Sequence, residues 1–147
     1  DRHLKYVYLK KPMGQQMLVD SSNKKILVVE DDVDLNNTYS IVLRKEGLDV
    51  SSAKDGLEAI KLLDKFTPDL VLLDLRMAKM GGVEFLKVSN IANNLPNTKI
   101  IIFTNFDLND EIQEAFELGA SRYVLKAMLS PKQLVKLVEE ELDIEVS

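Results

Sequence analysis

From Lys24 onward, short β-branched runs alternate with longer segments whose apolar residues recur at helical spacing. The runs are Ile26 to Val29, Asp49 to Ser52, Leu70 to Leu73, Lys99 to Phe103 and Arg122 to Leu125. Three of them, ILVV, LVLL and IIIF, are apolar at successive positions, as central parallel strands buried on both faces require. Between the runs, Leu35, Tyr39, Val42 and Leu43 fall on one helical face, with Gly47 placed to cap its end. Ile60 and Leu63 mark a second helix that stops before Thr67-Pro68, and Ile112, Ala115 and Phe116 a fourth that stops at Gly119. Leu134, Val138 and Leu142 mark the last, with Pro131 near its start after Ser130. A third helix is expected over roughly Val83 to Asn94.

Strict alternation of five strands and five helices predicts a three-layer α/β sandwich, because right-handed crossovers put helices on both faces of a parallel sheet. Residues 1–23 lack sustained periodicity and are expected to be a leader, a tag or linker outside a domain spanning 24–147. Within the leader, Gly14-Gln15-Gln16-Met17 resembles part of a common expression tag, and the segment is expected to dock on its own domain or on a neighbour.

With 147 residues, 46% of them apolar, the chain can build one sizeable core. Lys and Arg number 19 against 24 Asp and Glu, and the net charge of −5 disfavours direct nucleic-acid binding. The absence of cysteine removes disulfides, thiolate catalysis and cysteine zinc sites, and fits a cytoplasmic location. The single histidine, His3, reads as an exposed leader residue. No apolar run approaches the roughly 20 residues of a membrane span, so no membrane role is expected.

In parallel sheets of this kind ligands bind beyond the carboxyl ends of the strands. There the sequence places Glu30-Asp31-Asp32 after the first run, Asp74 after the third, Thr104 after the fourth and Lys126 after the fifth. Carboxylates crowded at adjacent strand ends repel by about 4 kcal/mol per pair at 4 Å and an effective dielectric of about 20. A divalent cation offsets that repulsion, and all-oxygen ligation suits magnesium. Lys126 adds a positive charge and Thr104 a hydroxyl donor, which together make a pocket able to place a phosphoryl group on Asp74. Alone, each residue has a blander reading: Asp74 and Thr104 as caps, Lys126 as a solvated charge, Tyr123 as a half-buried strand aromatic. Asp32 reads as the N-terminal cap of the first helix.

The segments KKILVVEDD, DLVLLDLRMAKMGG, IIIFTN and GASRYVLKA resemble, in order, the four signature segments of response-regulator receiver domains. The likeness runs from Lys25 to about Leu142, and the intervals from Asp74 to Thr104 (30 residues) and from Asp74 to Lys126 (52) are similar to those of that family. It implies a flavodoxin-like, doubly wound sheet of strand order 2-1-3-4-5. Asp74 becomes the phosphoacceptor. Glu30 and Asp31 become the acidic pair that, with Asp74 and the Arg76 backbone carbonyl, organises magnesium or manganese. Thr104 becomes the switch hydroxyl, Tyr123 the switch aromatic and Lys126 the phosphate-contacting lysine, while Arg76 and Phe106 stand where similar proteins tune phosphate lifetime.

The implied partners are a sensor histidine kinase or phosphotransfer protein upstream, and a downstream protein target or an output domain; a homodimer is compatible. The implied chemistry is self-phosphorylation and autodephosphorylation in a signalling domain rather than enzymatic turnover. Two positions depart from the family pattern, Ala78 and Ala127, where proline is usual. Loss of the fixed φ at Ala78 loosens the loop after Asp74. The bond after Lys126 is expected to be trans, because cis without proline costs about 2.5–4 kcal/mol. These departures motivate the alternative of a phosphorylation-independent pseudo-receiver, a protein interaction module. A dehalogenase-like phosphatase is disfavoured because Arg76 stands where such enzymes carry a second Asp. A flavodoxin-like flavin binder is disfavoured because three acids would repel a phosphate in the first loop.

Overall fold

The computed structural model describes residues 6–10, 16–20, 24–105 and 109–146, with the backbone alone for 6–10, 16–20 and 145–146. His3, the Pro12 to Gln15 part of the leader and Phe106 lie outside the described residues.

The five expected runs form one parallel sheet. In chain order its strands are β3 (Lys25–Val29), β4 (Asp49–Ala53), β5 (Leu70–Leu73), β6 (Lys99–Thr104) and β7 (Arg122–Leu125). Their spatial order is β4-β3-β5-β6-β7, which is 2-1-3-4-5 counted from Lys25. Alternation along the central strands divides the core in two. Leu27, Val29, Val71, Leu73, Ile100 and Ile102 face one layer, with Phe85, Leu86, Ile91 and Ile112 from its helices. Ile26, Val28, Leu70, Leu72, Ile101 and Phe103 face the other, with Tyr39, Leu43, Leu134 and Val138. Helices α1 (Val33–Lys45) and α6 (Pro131–Leu142) cover this second face; α2 (Gly56–Leu63), α3 (Gly82–Ser89), α4 (Ile91–Asn94) and α5 (Asn109–Glu117) cover the first.

Local chemistry sets the helix ends. The side chain of Asp32 accepts from the Leu35 amide at 3.1 Å and caps α1, as read from the sequence. Asp55 caps α2 through the Glu58 amide at 2.9 Å. Ser130, Pro131 and Gln133 give α6 a complete capping box with proline at its start.

The expected third helix is two. Asn90 adopts φ 49°, which interrupts the i→i−4 ladder between α3 and α4. Asparagine tolerates this left-handed conformation because its short amide bonds locally, here accepting from Asn93 Nδ2 at 2.8 Å. Apolar periodicity carries straight across such a break, so the sequence does not reveal it.

The leader is not featureless. β1 (Tyr6–Lys10) and β2 (Gln16–Asp20) form an antiparallel hairpin, and β1 also pairs with β8 (Ile144–Val146), giving a second sheet of order β2-β1-β8. The chain leaves α6 through Asp143 at φ 54°, which turns it into β8, and Ile144 is fully buried among the α1 and α6 residues.

Candidate functional site

Strand register assembles the site. Val29 pairs with Leu73, so the next residues, Glu30 and Asp74, stand side by side, with the Asp74 amide donating to the Val29 carbonyl at 3.1 Å. Thr104 ends β6 opposite Leu125, which brings Lys126 to the same sheet edge. Together with Asp31, Asp32, Leu35, Arg76 and Asn105 these residues line a cavity of about 200 Å³.

Glu30, Asp74 and Thr104 are buried, at 1%, 3% and 0% exposure, so their polar atoms must be satisfied within the site. Lys126 does much of this. Its Nζ donates to Asp74 Oδ2 at 3.0 Å and forms a close ion pair with Glu30 Oε1. Glu30 Oε2 accepts from the Asp32 amide at 3.0 Å, and Asp74 Oδ1 accepts from the Arg76 amide at 3.3 Å. Burial pushes the Glu30 carboxyl up to about 7, against the opposing pull of the Asp32 amide and of Lys126. Burial likewise raises the Asp74 carboxyl, although Lys126 favours its charged form. For the Lys126 ammonium burial pulls downward, but its bonds to Glu30 and Asp74 outweigh that and hold it above the usual lysine value. The site therefore holds more buried negative charge than one lysine balances.

One carboxylate oxygen from each of Glu30, Asp31 and Asp74 lies within 4.8 Å of the others. These three crowded carboxylates, Glu30 and Asp74 buried and Asp31 exposed, form an all-oxygen donor set that a hard divalent cation fits. Ala78 contributes to this arrangement. Its amide donates to Asp31 Oδ2 at 3.4 Å, a bond that proline could not make, so the departure from the family pattern supplies a donor. No cis peptide occurs among the described residues, and Lys126 to Met128 form a 3₁₀ turn, in line with the trans bond expected before Ala127.

Tyr123 lies on β7 at 42% exposure with its ring edge-on to Phe116, centroids 6.4 Å apart. It does not line the acceptor cavity, and instead lines a separate groove with Met128 and Leu129.

Several supporting residues were not singled out from the sequence. Asn36 is buried in α1 and its Nδ2 donates to the carbonyls of Glu30 (2.9 Å) and Ala53 (3.0 Å), tying two strand ends behind the acidic pair. A polar residue on the helix face that carries Tyr39 and Leu43 is the signal that could have found it. Asn36→Ala would remove a bond from each of two carbonyls, although that of Ala53 still accepts from the Glu30 amide at 3.0 Å, and is expected to cost about 1–3 kcal/mol, read as a lower denaturant midpoint. Gly82 is pinched against the site's backbone: a Cβ there would lie 2.5 Å from the Asp74 carbonyl oxygen.

A family model for the response regulator receiver domain matches residues 26–139, a span that contains every residue of this cavity. The chain belongs to the response regulator receiver domain family. It is thus a receiver domain of two-component response regulators, a signalling module of phosphorelays. The receiver is 38% identical over 104 residues to sporulation initiation phosphotransferase F of Bacillus subtilis, covering 71% of this chain and 82% of that one. It is 35% identical over 124 residues to the DNA-binding response regulator MtrA of Mycobacterium tuberculosis, covering 84% of this chain but 53% of MtrA. The chain thus spans about half the length of that relative. Among solved structures, a CheY-like receiver from Methanospirillum hungatei superposes with a TM-score of 0.76 at 27% identity, covering 82% of this chain and 94% of that one. Chemotaxis protein CheY4 of Vibrio cholerae gives 0.73 at 28% identity, covering 80% and 98%. No helix among the described residues is long and apolar enough to cross a membrane.

Proposed function

We propose that this receiver accepts a phosphoryl group on Asp74 from a sensor histidine kinase or a phosphotransfer protein, and that the modification switches a protein-interaction face. The observation that carries the reading is the Asp74 carboxylate itself: buried, held by Lys126 at 3.0 Å, and within 4.8 Å of the Glu30 and Asp31 carboxylates at the mouth of a cavity.

In the transfer, an Asp74 carboxylate oxygen attacks phosphorus, the phosphorus–nitrogen bond of the donor phosphohistidine breaks, and its electron pair returns to the imidazole. The Lys126 ammonium then exchanges part of its bonding from Asp74 to a phosphoryl oxygen, and the Thr104 hydroxyl donates to another. Glu30, Asp31, Asp74 and the Arg76 carbonyl are the residues that would hold magnesium or manganese, which when bound neutralises charge on the phosphoryl oxygens. Asn36 and the Ala78 amide keep the acidic residues aimed at that position.

The phosphoryl group adds about two negative charges and strong acceptors beside Thr104. Movement of Thr104 toward it frees space into which Tyr123 can turn from its outward position, changing the face made by α5, β7 and α6. That face would meet a downstream protein, an output domain or a second copy of the receiver in the cytoplasm. Self-phosphorylation and autodephosphorylation would be its only chemistry. The pseudo-receiver alternative rests on Ala78 and Ala127, yet neither replaces a charged group of the site.

Reduction of the phosphorylated protein with borohydride converts an aspartyl phosphate to homoserine. The expected product carries homoserine at position 74, and homoserine elsewhere, or none in protein that has taken up phosphate, would refute the assignment.

A further inference from the structure

Beside the acceptor cavity, and sharing Asp31 and Arg76 with it, runs an open groove of about 740 Å³ with two ion pairs set across it. Arg76, two residues past Asp74, makes a two-pronged contact with Glu111 of α5: Nη2 to Oε1 at 2.8 Å and Nε to Oε2 at 3.4 Å. Lys87 of α3 pairs with Glu114, nearly one helical turn along α5, at 2.6 Å. Arg76 lines both the cavity and the groove, whereas Glu111 lines the groove alone. Arg76 is thus part of the wall between the two spaces, with its guanidinium committed to a carboxylate on the groove side.

We propose that Glu111 is a positioning residue that holds the Arg76 guanidinium away from the acceptor cavity and so limits how fast Asp74 takes a phosphoryl group from an anionic donor. This rests on the reading of Asp74 as phosphoacceptor. The guanidinium fork suits a phosphate as well as it suits a carboxylate, so an anion entering the cavity competes with Glu111 for the same donors. Arg76 and Glu111 side chains are 59% and 35% exposed, which makes their pair weak enough to exchange. α5 is anchored separately by its buried Ile112 and Ala115 in the core, so it keeps its place when Arg76 lets go.

The test measures the rate of phosphoryl incorporation from acetyl phosphate, by intact mass, in wild type, Glu111→Gln, Arg76→Ala and the double variant. With Arg76 present, Glu111→Gln is expected to speed labelling about two- to five-fold, the range over which an exposed ion pair competes. With Arg76 replaced, Glu111→Gln is expected to change nothing. Equal acceleration in both backgrounds would mean that Glu111 acts only through its own charge, and would overturn the proposal, as would no acceleration in the background that keeps Arg76. A wild type that takes up no phosphoryl group would instead sink the Asp74 reading, and this inference with it. Labelling of all four proteins at background-independent rates would sink the inference alone.

Discussion

Lys126→Ala is expected to slow phosphoryl transfer to Asp74 by about two to three orders of magnitude, the effect of removing one preorganised donor from a site where charge develops. The size follows from position: the ammonium is, among the described residues, the one cation bonded to both buried carboxylates, and it reaches the cavity where a phosphoryl oxygen would arrive. A surface lysine at the same net charge would not have that effect. Loss of the ammonium also leaves Glu30 and Asp74 facing one another at 1% and 3% exposure. The metal-free variant should therefore unfold at lower denaturant than wild type, and added magnesium should recover more stability in the variant than in wild type, because the cation replaces charge that the lysine supplied. A labelling time course followed by intact mass measures the first effect. A variant labelled within three-fold of wild type would remove Lys126 from the transfer step.

Gly82→Ala is expected to destabilise the receiver by about 1–3 kcal/mol and to impair Asp74 at the same time. Here the cause is steric. An added methyl would meet the Asp74 carbonyl oxygen at 2.5 Å, the Leu75 Cα at 3.0 Å and Leu75 Cδ2 at 3.1 Å. Two of these neighbours are backbone, held by the Asp74 amide bonding to Val29 and by the Gly82 amide bonding to the Leu75 carbonyl at 3.0 Å. Relief requires moving the start of α3 or the strand end that carries the phosphoacceptor. Equilibrium unfolding should show a lower midpoint at unchanged slope, and labelling should slow in parallel. An alanine variant as stable as wild type would show that the close approach is not a constraint.

The sheet was legible because parallel central strands are buried on both faces and so appear as unbroken apolar runs such as LVLL and IIIF, whereas its strand order was implied by the resemblance to receiver domains. The residues that end those runs were legible for the same reason, since a carboxylate, a hydroxyl or an ammonium interrupting such a run stands at a strand end. What lay outside this signal was missed. The break at Asn90 leaves the apolar period intact. The hairpin β1–β2 pairs through backbone groups to a strand more than a hundred residues away, and a pairing of that range has no local trace in the leader. Contacts made by backbone amides or by long exposed side chains were equally silent. The Ala78 amide on Asp31 and Arg76 on Glu111 depend on how the loops after β3 and β5 approach one another and α5, which spacing alone does not convey. Tyr123 was legible as a strand aromatic, while its outward orientation beside Phe116 belongs to tertiary packing.

Acceptance of a phosphoryl group by Asp74 with the help of a divalent cation can be tested without a partner protein. The most direct measurement is the intact mass of the protein after incubation with acetyl phosphate and magnesium, alongside a chelated sample and Asp74→Asn. One added phosphoryl group is expected in the first sample and none in the other two. Incorporation that persists in Asp74→Asn, or no incorporation by wild type in the presence of magnesium, would contradict it.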